Sequence, residues 1–206
     1  MAGDQTAYAI GADLTPADGM RLSFERNSGY FVVSPRTIEL GLRQISHRAQ
    51  LDWSPTFSAQ IVVDGSYQTL SDGNRRWELT ISPRRSVAKT QRLNLDLGAQ
   101  LSQLRTTTNF NNGYYDPSRY EYYAGTAYPY WKVSEGIGLG LSLGVGVQRD
   151  DFSPSFRLGG NATGEATFGI NNAWVLKITG GETLNQRLGT GAFRGYGAGA
   201  SLIRRF

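Results

Sequence analysis

The chain alternates apolar and polar residues one for one in run after run, and no other feature limits its fold as tightly. Leu93, Leu95, Leu97, Ala99 and Leu101 share one face of residues 92–102, while Arg92, Asn94, Asp96, Gln100 and Ser102 share the other. Phe57, Ala59, Ile61, Val63 and Tyr67 likewise oppose Ser58, Gln60, Asp64, Ser66 and Gln68, and Trp77, Leu79 and Ile81 oppose Arg76, Glu78 and Thr80. Further on, Leu139, Leu141, Leu143 and Val145 oppose glycines and Ser142, Leu158, Ala162 and Ala166 oppose Arg157, Asn161 and Glu165, and Trp174, Leu176 and Ile178 oppose Lys177 and Thr179. A period of two sends successive side chains to opposite faces of a strand, and helical spacing is nearly absent. The chain therefore reads as all-β, greasy on one face and polar on the other.

Turn signals of two styles alternate between these runs. Thr15–Gly19, Ser54–Thr56, Ser82-Pro83, Ser134–Gly136 and Asn171-Asn172 are short and tight, whereas 27–36, 71–74, 106–118, 150–155 and 186–192 are mostly longer and more polar. Long strands with short turns at one end and longer loops at the other are what a transmembrane barrel requires, since every backbone group must pair within the sheet. A soluble sandwich or solenoid also explains the alternation, but it expects shorter strands and bulkier inner residues. Trp53, Phe57, Trp77, Trp131, Phe168, Trp174 and Phe206 are expected near the short-turn side as an aromatic girdle. The fold class expected is an antiparallel up-and-down transmembrane β-barrel in the bacterial outer membrane.

Eleven strands are expected, at about 5–14, 20–26, 37–53, 57–70, 75–82, 91–104, 119–133, 137–149, 156–170, 173–185 and 193–206. In 37–53 the apolar parity changes, which a β-bulge near Arg43 or Gln44 reconciles. The first strand runs towards a short turn, and Met-Ala-Gly-Asp-Gln-Thr lacks the basic and apolar regions of a secretion signal. Residues 1–206 are accordingly expected to be one partial domain, the C-terminal part of a barrel of about 16 strands. The chain ends on an aromatic, Phe206, and Arg204 is expected to snorkel to headgroups.

Cysteine is absent, which excludes disulfides, thiolate metal sites and a catalytic thiol. The net charge of +4 is spread along the chain, so the footprint of a nucleic-acid binder is missing. No run reaches the roughly 18 apolar residues of a membrane helix. The sole histidine, His47, shares the parity of Ile45, Ala49, Leu51 and Trp53, and the Gly-x-Gly runs lie inside strands rather than before a helix. Asp116 and Asp150-Asp151 read as solvated loop residues rather than a calcium site. No catalytic residue, metal or cofactor is expected.

The polar parity, taken as inward, carries Arg21, Arg48, Arg76, Arg92, Lys132, Arg157 and Lys177 against Asp13, Glu25, Asp52, Asp64, Glu78, Asp96 and Glu165. The signs nearly cancel, which suits a neutral solute held by hydrogen bonds; mutual pairing across strands explains the same charges. Residues 111–133 concentrate seven tyrosines and a tryptophan, and Gly136, Gly138, Gly140, Gly144 and Gly146 follow at inward parity. With Tyr120, Tyr122, Tyr128, Tyr130 and Lys132 inward, Trp131 and Val133 face out and the rings can fold over the glycine strip. The opposite parity makes Tyr122, Tyr128 and Tyr130 a lipid-facing girdle. Aromatic and mixed-charge walls suit a sugar chain, whose C–H faces stack on rings and whose hydroxyls bond to Asp, Arg and Tyr.

Gly113-Tyr114-Tyr115-Asp116-Pro117-Ser118-Arg119-Tyr120, followed by a long alternating strand and a short turn, resembles the Gly-Tyr-(aromatic)-x-Pro-x-x-Tyr segment in the C-terminal barrel of the cellulose synthase operon C subunit. The motif covers under a tenth of the chain, and the order of strands and loops extends the likeness more loosely. In that family tetratricopeptide helices precede an outer-membrane barrel that exports an exopolysaccharide; no such helical array lies in this sequence. The resemblance implies that Tyr114, Tyr115, Pro117 and Tyr120 lie at an outer loop and strand start near the pore exit. It implies a polysaccharide chain, outer-membrane lipid and, for a full-length protein, a synthase complex as partners. A general porin or structural barrel is the alternative.

Overall fold

The computed structural model describes residues 7–110, 112–151, 153–169, 174–188 and 191–204, with the side chains of 183–195 excepted. Eleven strands form one antiparallel sheet in which each pairs with its sequence neighbours: β1 (Tyr8–Ala17), β2 (Met20–Tyr30), β3 (Arg43–Thr56), β4 (Ala59–Leu70), β5 (Arg75–Lys89), β6 (Leu93–Thr106), β7 (Tyr120–Lys132), β8 (Ile137–Asp150), β9 (Arg157–Gly169), β10 (Trp174–Leu188) and β11 (Gly191–Arg204). Among the described residues β1 and β11 pair on one side only, so the sheet is open. Phe206 and Asn171-Asn172 lie outside the described residues.

Register carries the alternation across the whole sheet. Leu22 aligns with Leu51, Leu51 with Val63, Val63 with Ile81 and Ile81 with Leu101. Leu101 continues to Tyr123, Tyr123 to Val147 and Val147 to Leu158, so one face is apolar from β2 to β9. This face is also the bare one: Ile10 is 67% exposed, Val145 66% and Leu141 50%. On the polar face Leu104, Tyr120, Gln148 and Asp150 are buried, so the sheet curls with its polar face inside. So extensive an apolar surface is unsuited to water and matches a lipid solvent.

Four expectations are corrected. β5 does not stop at Ser82-Pro83 but runs through it to Lys89. Pairing with β6 passes from Ile81↔Leu101 to Arg84↔Gly98, so the proline, which has no amide hydrogen, falls where the ladder is interrupted. Trp77 therefore sits near the start of a long strand, at the loop-side end beside Tyr67 and Arg105, not at the short-turn side. In 37–53 no bulge is needed: Ile38 lies in a five-residue helix, α1 (Pro35–Glu39), and β3 begins only at Arg43. Ser34 caps that helix by accepting from the Thr37 amide at 3.2 Å, while the Ser34 amide donates to Thr37 Oγ1 at 3.1 Å. The loop expected over 186–192 is largely strand, since β10 reaches Leu188 and β11 starts at Gly191.

Candidate functional site

The aromatic part of the polar face is built on β7 to β9. Register pairs Asp96 with Tyr128, Ser102 with Tyr122 and Leu104 with Tyr120, which fixes Tyr120, Tyr122, Tyr128, Tyr130 and Lys132 on the polar face. Tyr130 faces Gly140 across the pair, and Tyr122 faces Gln148. A Cβ on Gly138 would collide with the Tyr130 hydroxyl, and one on Gly140 would lie 3.5 Å from Tyr130 Cδ2. The Tyr130 ring thus lies along the glycine backbone, 41% exposed towards the enclosed side. Further along, the Tyr122 hydroxyl comes 3.6 Å from the place a Gly144 Cβ would take. Tyr128 is flanked by Arg84, whose guanidinium carbon is 5.8 Å from the ring centroid. Gly136 belongs to the turn before β8 instead of to the strip.

The charged part, on β1 to β6 and again on β9 and β10, is paired. Arg48 donates to Asp64 at 2.7 Å, Arg21 to Asp13 at 3.0 Å, and Lys177 bridges Glu165 at 2.7 Å. Arg76 contacts Glu78 at 3.3 Å, and Asp96 accepts from the Ser86 hydroxyl at 2.5 Å. Arg157 opens β9 opposite Gln148, whereas Arg92 lies in the 90–92 turn, where its amide donates to Thr90 Oγ1 at 3.3 Å. Among the described residues four ion pairs form in this set, while Glu25, Asp52 and Asp96 accept instead from Asn27, Gln50 and Ser86.

Tyr114 and Tyr115 stand at the rim, where the loops gather into a cap. The ring of Tyr114 packs edge-on against Phe31, 5.4 Å between centroids, in a buried cluster with Leu42 and Leu70. Its hydroxyl donates to Asp72 at 2.8 Å and accepts from Asn74 Nδ2 at 2.8 Å, and Asn74 is fully buried. Burial pushes the Tyr114 phenol well above its ordinary 10.0, and donation to the Asp72 carboxylate pushes the same way, against the Asn74 bond. Tyr115 donates to Asp150 at 2.5 Å and Tyr120 to Gln148 at 3.1 Å. Gly113 has φ +81°, and a side chain there would strike Arg36. Asp116 and Asp150 are buried rather than solvated, Asp116 at 3% exposed accepting from the Phe110 amide at 2.7 Å, whereas Asp151 is exposed and takes the amides of Ser118 and Arg119.

Sequence reasoning missed Asn74, Asp72 and Gln148, whose partners lie far along the chain. It also missed Glu121, 4% exposed by side chain, which accepts from Arg119 at 2.5 Å and Arg149 at 2.6 Å. The one available signal was the Asp116-Pro117 pair, a turn former followed by charge. His47 faces outward beside Tyr67, as its parity implied.

No protein-family model matches the sequence, and no curated protein matches it. Among solved structures, the chain is similar to a protein described as a bacterial polysaccharide outer membrane secretin, with a TM-score of 0.79 at 15% identity over 96% of this chain and 69% of that one. It is also similar to the NanC porin, with a TM-score of 0.53 at 8% identity over 96% of this chain and 92% of that one. The fold of this chain is that of the outer-membrane β-barrels.

Proposed function

We propose that the chain forms wall and rim of an outer-membrane channel through which an exopolysaccharide, cellulose-like in its exposed C–H faces and equatorial hydroxyls, leaves the cell. The observation that carries this is the tyrosine wall of β7: Tyr122 and, past Ala124 and Thr126, Tyr128 and Tyr130 share the enclosed face, with glycines beneath the Tyr130 ring and beside the Tyr122 hydroxyl. Glycine lets a ring lie flat against the wall, which leaves its other face to a passing sugar. Several similar, weak stacking places along one line let a polymer advance without being trapped. The paired charges beside the strip give little net field, which suits an uncharged chain. The description of the polysaccharide secretin agrees with this reading. The channel is a conduit without chemistry of its own, and the rim cap holding Tyr114, Tyr115 and Tyr120 sets the shape of its exit.

The test is single-channel recording in planar bilayers with cello-oligosaccharides. The wild type is expected to show transient blockade, and Tyr122→Ala/Tyr128→Ala/Tyr130→Ala to shorten the blocked time about tenfold with open conductance raised. Unchanged blockade in a folded triple variant would end the export reading and leave a general porin.

A further inference from the structure

The apolar face carries, at its loop-side end, a pattern that transport does not use. Register aligns Arg26 with His47, His47 with Tyr67, Tyr67 with Trp77 and Trp77 with Arg105, a row across five strands. At the usual strand separation it spans about 19 Å. Nearer the loops on the same face, Arg75 lies one step beyond the row, opposite Thr69, and Arg43 two steps beyond it, opposite Tyr30. Among the described residues none of Arg26, Arg43, Arg75 and Arg105 pairs with a carboxylate. Two of them rest on aromatic rings instead, Arg43 5.5 Å from the Tyr30 centroid and Arg105 5.2 Å from that of Trp77. At the short-turn end the described part of this face offers only Arg85, opposite Leu97, and Arg204, 5.7 Å from the Trp174 centroid.

Below the arginine row the face is not flat. Gly65 aligns with Ala49, and these two floor a shallow groove of about 600 Å³ walled by Phe24, Tyr67 and Trp77, with Arg26 at its loopward end. A Cβ on Gly65 would meet nothing nearer than 3.9 Å, so the groove follows from the missing side chain and not from a crowded backbone. An apolar slot ending in an unpaired cation, on a surface that lies against acyl chains, is complementary to one kind of molecule. Arginines near a membrane surface draw anionic lipid, and the aromatic rings beneath them sit at headgroup level.

We propose that this outward site binds a lipid of the leaflet on the loop side that carries two separated phosphates, with an acyl chain in the Gly65 groove, one phosphate on Arg26 beside the groove and the other on Arg105 at the far end of the row. The proposal rests on the sheet standing in a membrane and is independent of what passes through the channel. Arg43 and Arg75 add charge above the row, so the site selects for phosphate rather than for acyl chains alone.

Native mass spectrometry of the full chain in neutral detergent, titrated with diphosphorylated lipid A, with its dephosphorylated form and with inorganic phosphate, tests it. The wild type is expected to retain the diphosphorylated lipid and to bind the dephosphorylated form at least tenfold more weakly. Arg26→Gln/Arg105→Gln should weaken retention by roughly fivefold per arginine removed. Gly65→Leu, which keeps every charge, should weaken both lipids together, while Arg85→Gln/Arg204→Gln should match the wild type. Equal retention of both lipids by the wild type overturns the proposal without any variant having to fold. So does inorganic phosphate displacing the lipid at equal concentration, or the short-turn variant losing as much as the loop-side one.

Discussion

From β2 to β5 the polar wall is built of charges that consume one another, whereas from β7 to β9 it is built of rings laid on bare backbone. In the first part Arg48 and Asp64 lie on neighbouring strands within 2.7 Å, and Arg76 turns to Glu78 on its own strand. In the second, Gly138 and Gly140 remove side chains from β8 where the Tyr130 ring lies, and Gly144 does so near the Tyr122 hydroxyl. The difference concerns what each part leaves for a solute. Paired charges have spent much of their field on each other, while the Tyr130 ring, supported from behind by Gly138 and Gly140, keeps 41% of its surface exposed.

The comparison breaks most visibly at glycine. A Cβ on Gly146 would run into the carbonyl oxygen of Tyr123 and the backbone of Ala124, neither of which is a flexible side-chain end. Gly146→Val is therefore expected to cost about 3 kcal/mol or more and to lower the yield of folded barrel. On the outward face of β4, by contrast, Gly65→Ala meets only ordinary contacts and should fall within about 0.5 kcal/mol of the wild type. Urea unfolding of the two variants in lipid vesicles compares them directly, and equal losses would contradict the close backbone approach at Gly146.

Glu121 shows the pairing rule at work on the opposite, outward face of β7 and β8, where it aligns with Gln103 and Arg149. Its carboxylate, 4% exposed, holds Arg119 and Arg149 together at the loop-side end of β7 and β8. Glu121→Gln leaves two guanidinium groups facing a neutral amide, and a loss of about 2 kcal/mol is expected. Restoring balance with Arg149→Met in the same chain should recover part of it, which a urea midpoint series measures.

Much of this was legible in the alternation itself. Parity put Tyr122, Tyr128 and Tyr130 on one common face, because a strand fixes side-chain direction at every second residue, but it left lumen and lipid both open until the pairing with β6 set Tyr128 opposite Asp96. It failed where local chemistry contradicted the larger sheet. Pro83 reads as a turn, yet it sits inside β5 because the one pairing it cannot make is skipped. Ile38, Leu40 and Leu42 read as strand, but Ser34 and Thr37 cap a short helix there. The rim cap was out of reach for another reason: Asn74 meets Tyr114 across 40 residues, and only the closed register of β4 to β7 brings them together. The arginine row depends on register in the same way, since no two of its members are neighbours in sequence.

The cap joins the two parts at the rim, and its pH dependence follows from Tyr114. The folded phenol holds its proton more tightly than the unfolded one, whose ordinary value is 10.0. Its contribution is therefore whole below that pH and is lost as the pH rises above it through the higher folded value. Tyr114→Phe keeps the ring against Phe31 but drops both hydroxyl bonds, at a cost of about 1 to 2 kcal/mol. The variant should also lack the alkaline loosening, read as protease cleavage in 107–119 that rises with pH in the wild type only.

The smallest effect is expected where the structure shows the most charges. Arg48 is 52% exposed by side chain and Asp64 27%, so water screens their 2.7 Å contact. Asp64→Asn removes the charge while keeping a side-chain oxygen to accept from Arg48, and it should cost no more than about 0.5 to 1 kcal/mol at low salt. Added salt should shrink that difference, because screening acts on an exposed pair within about 10 Å at 0.1 M. A salt-independent loss above 2 kcal/mol would mean that the pair is desolvated as Glu121 is. The charged part would then be a second rigid surface instead of a neutral, hydrated flank to the tyrosine strip. Because Asp64→Asn also uncovers one cation on the enclosed face, the same variant should turn a weakly selective channel slightly towards anions. Reversal potentials under a potassium chloride gradient read that shift, and its absence would show that neighbouring carboxylates such as Glu25 and Glu78 already balance Arg48.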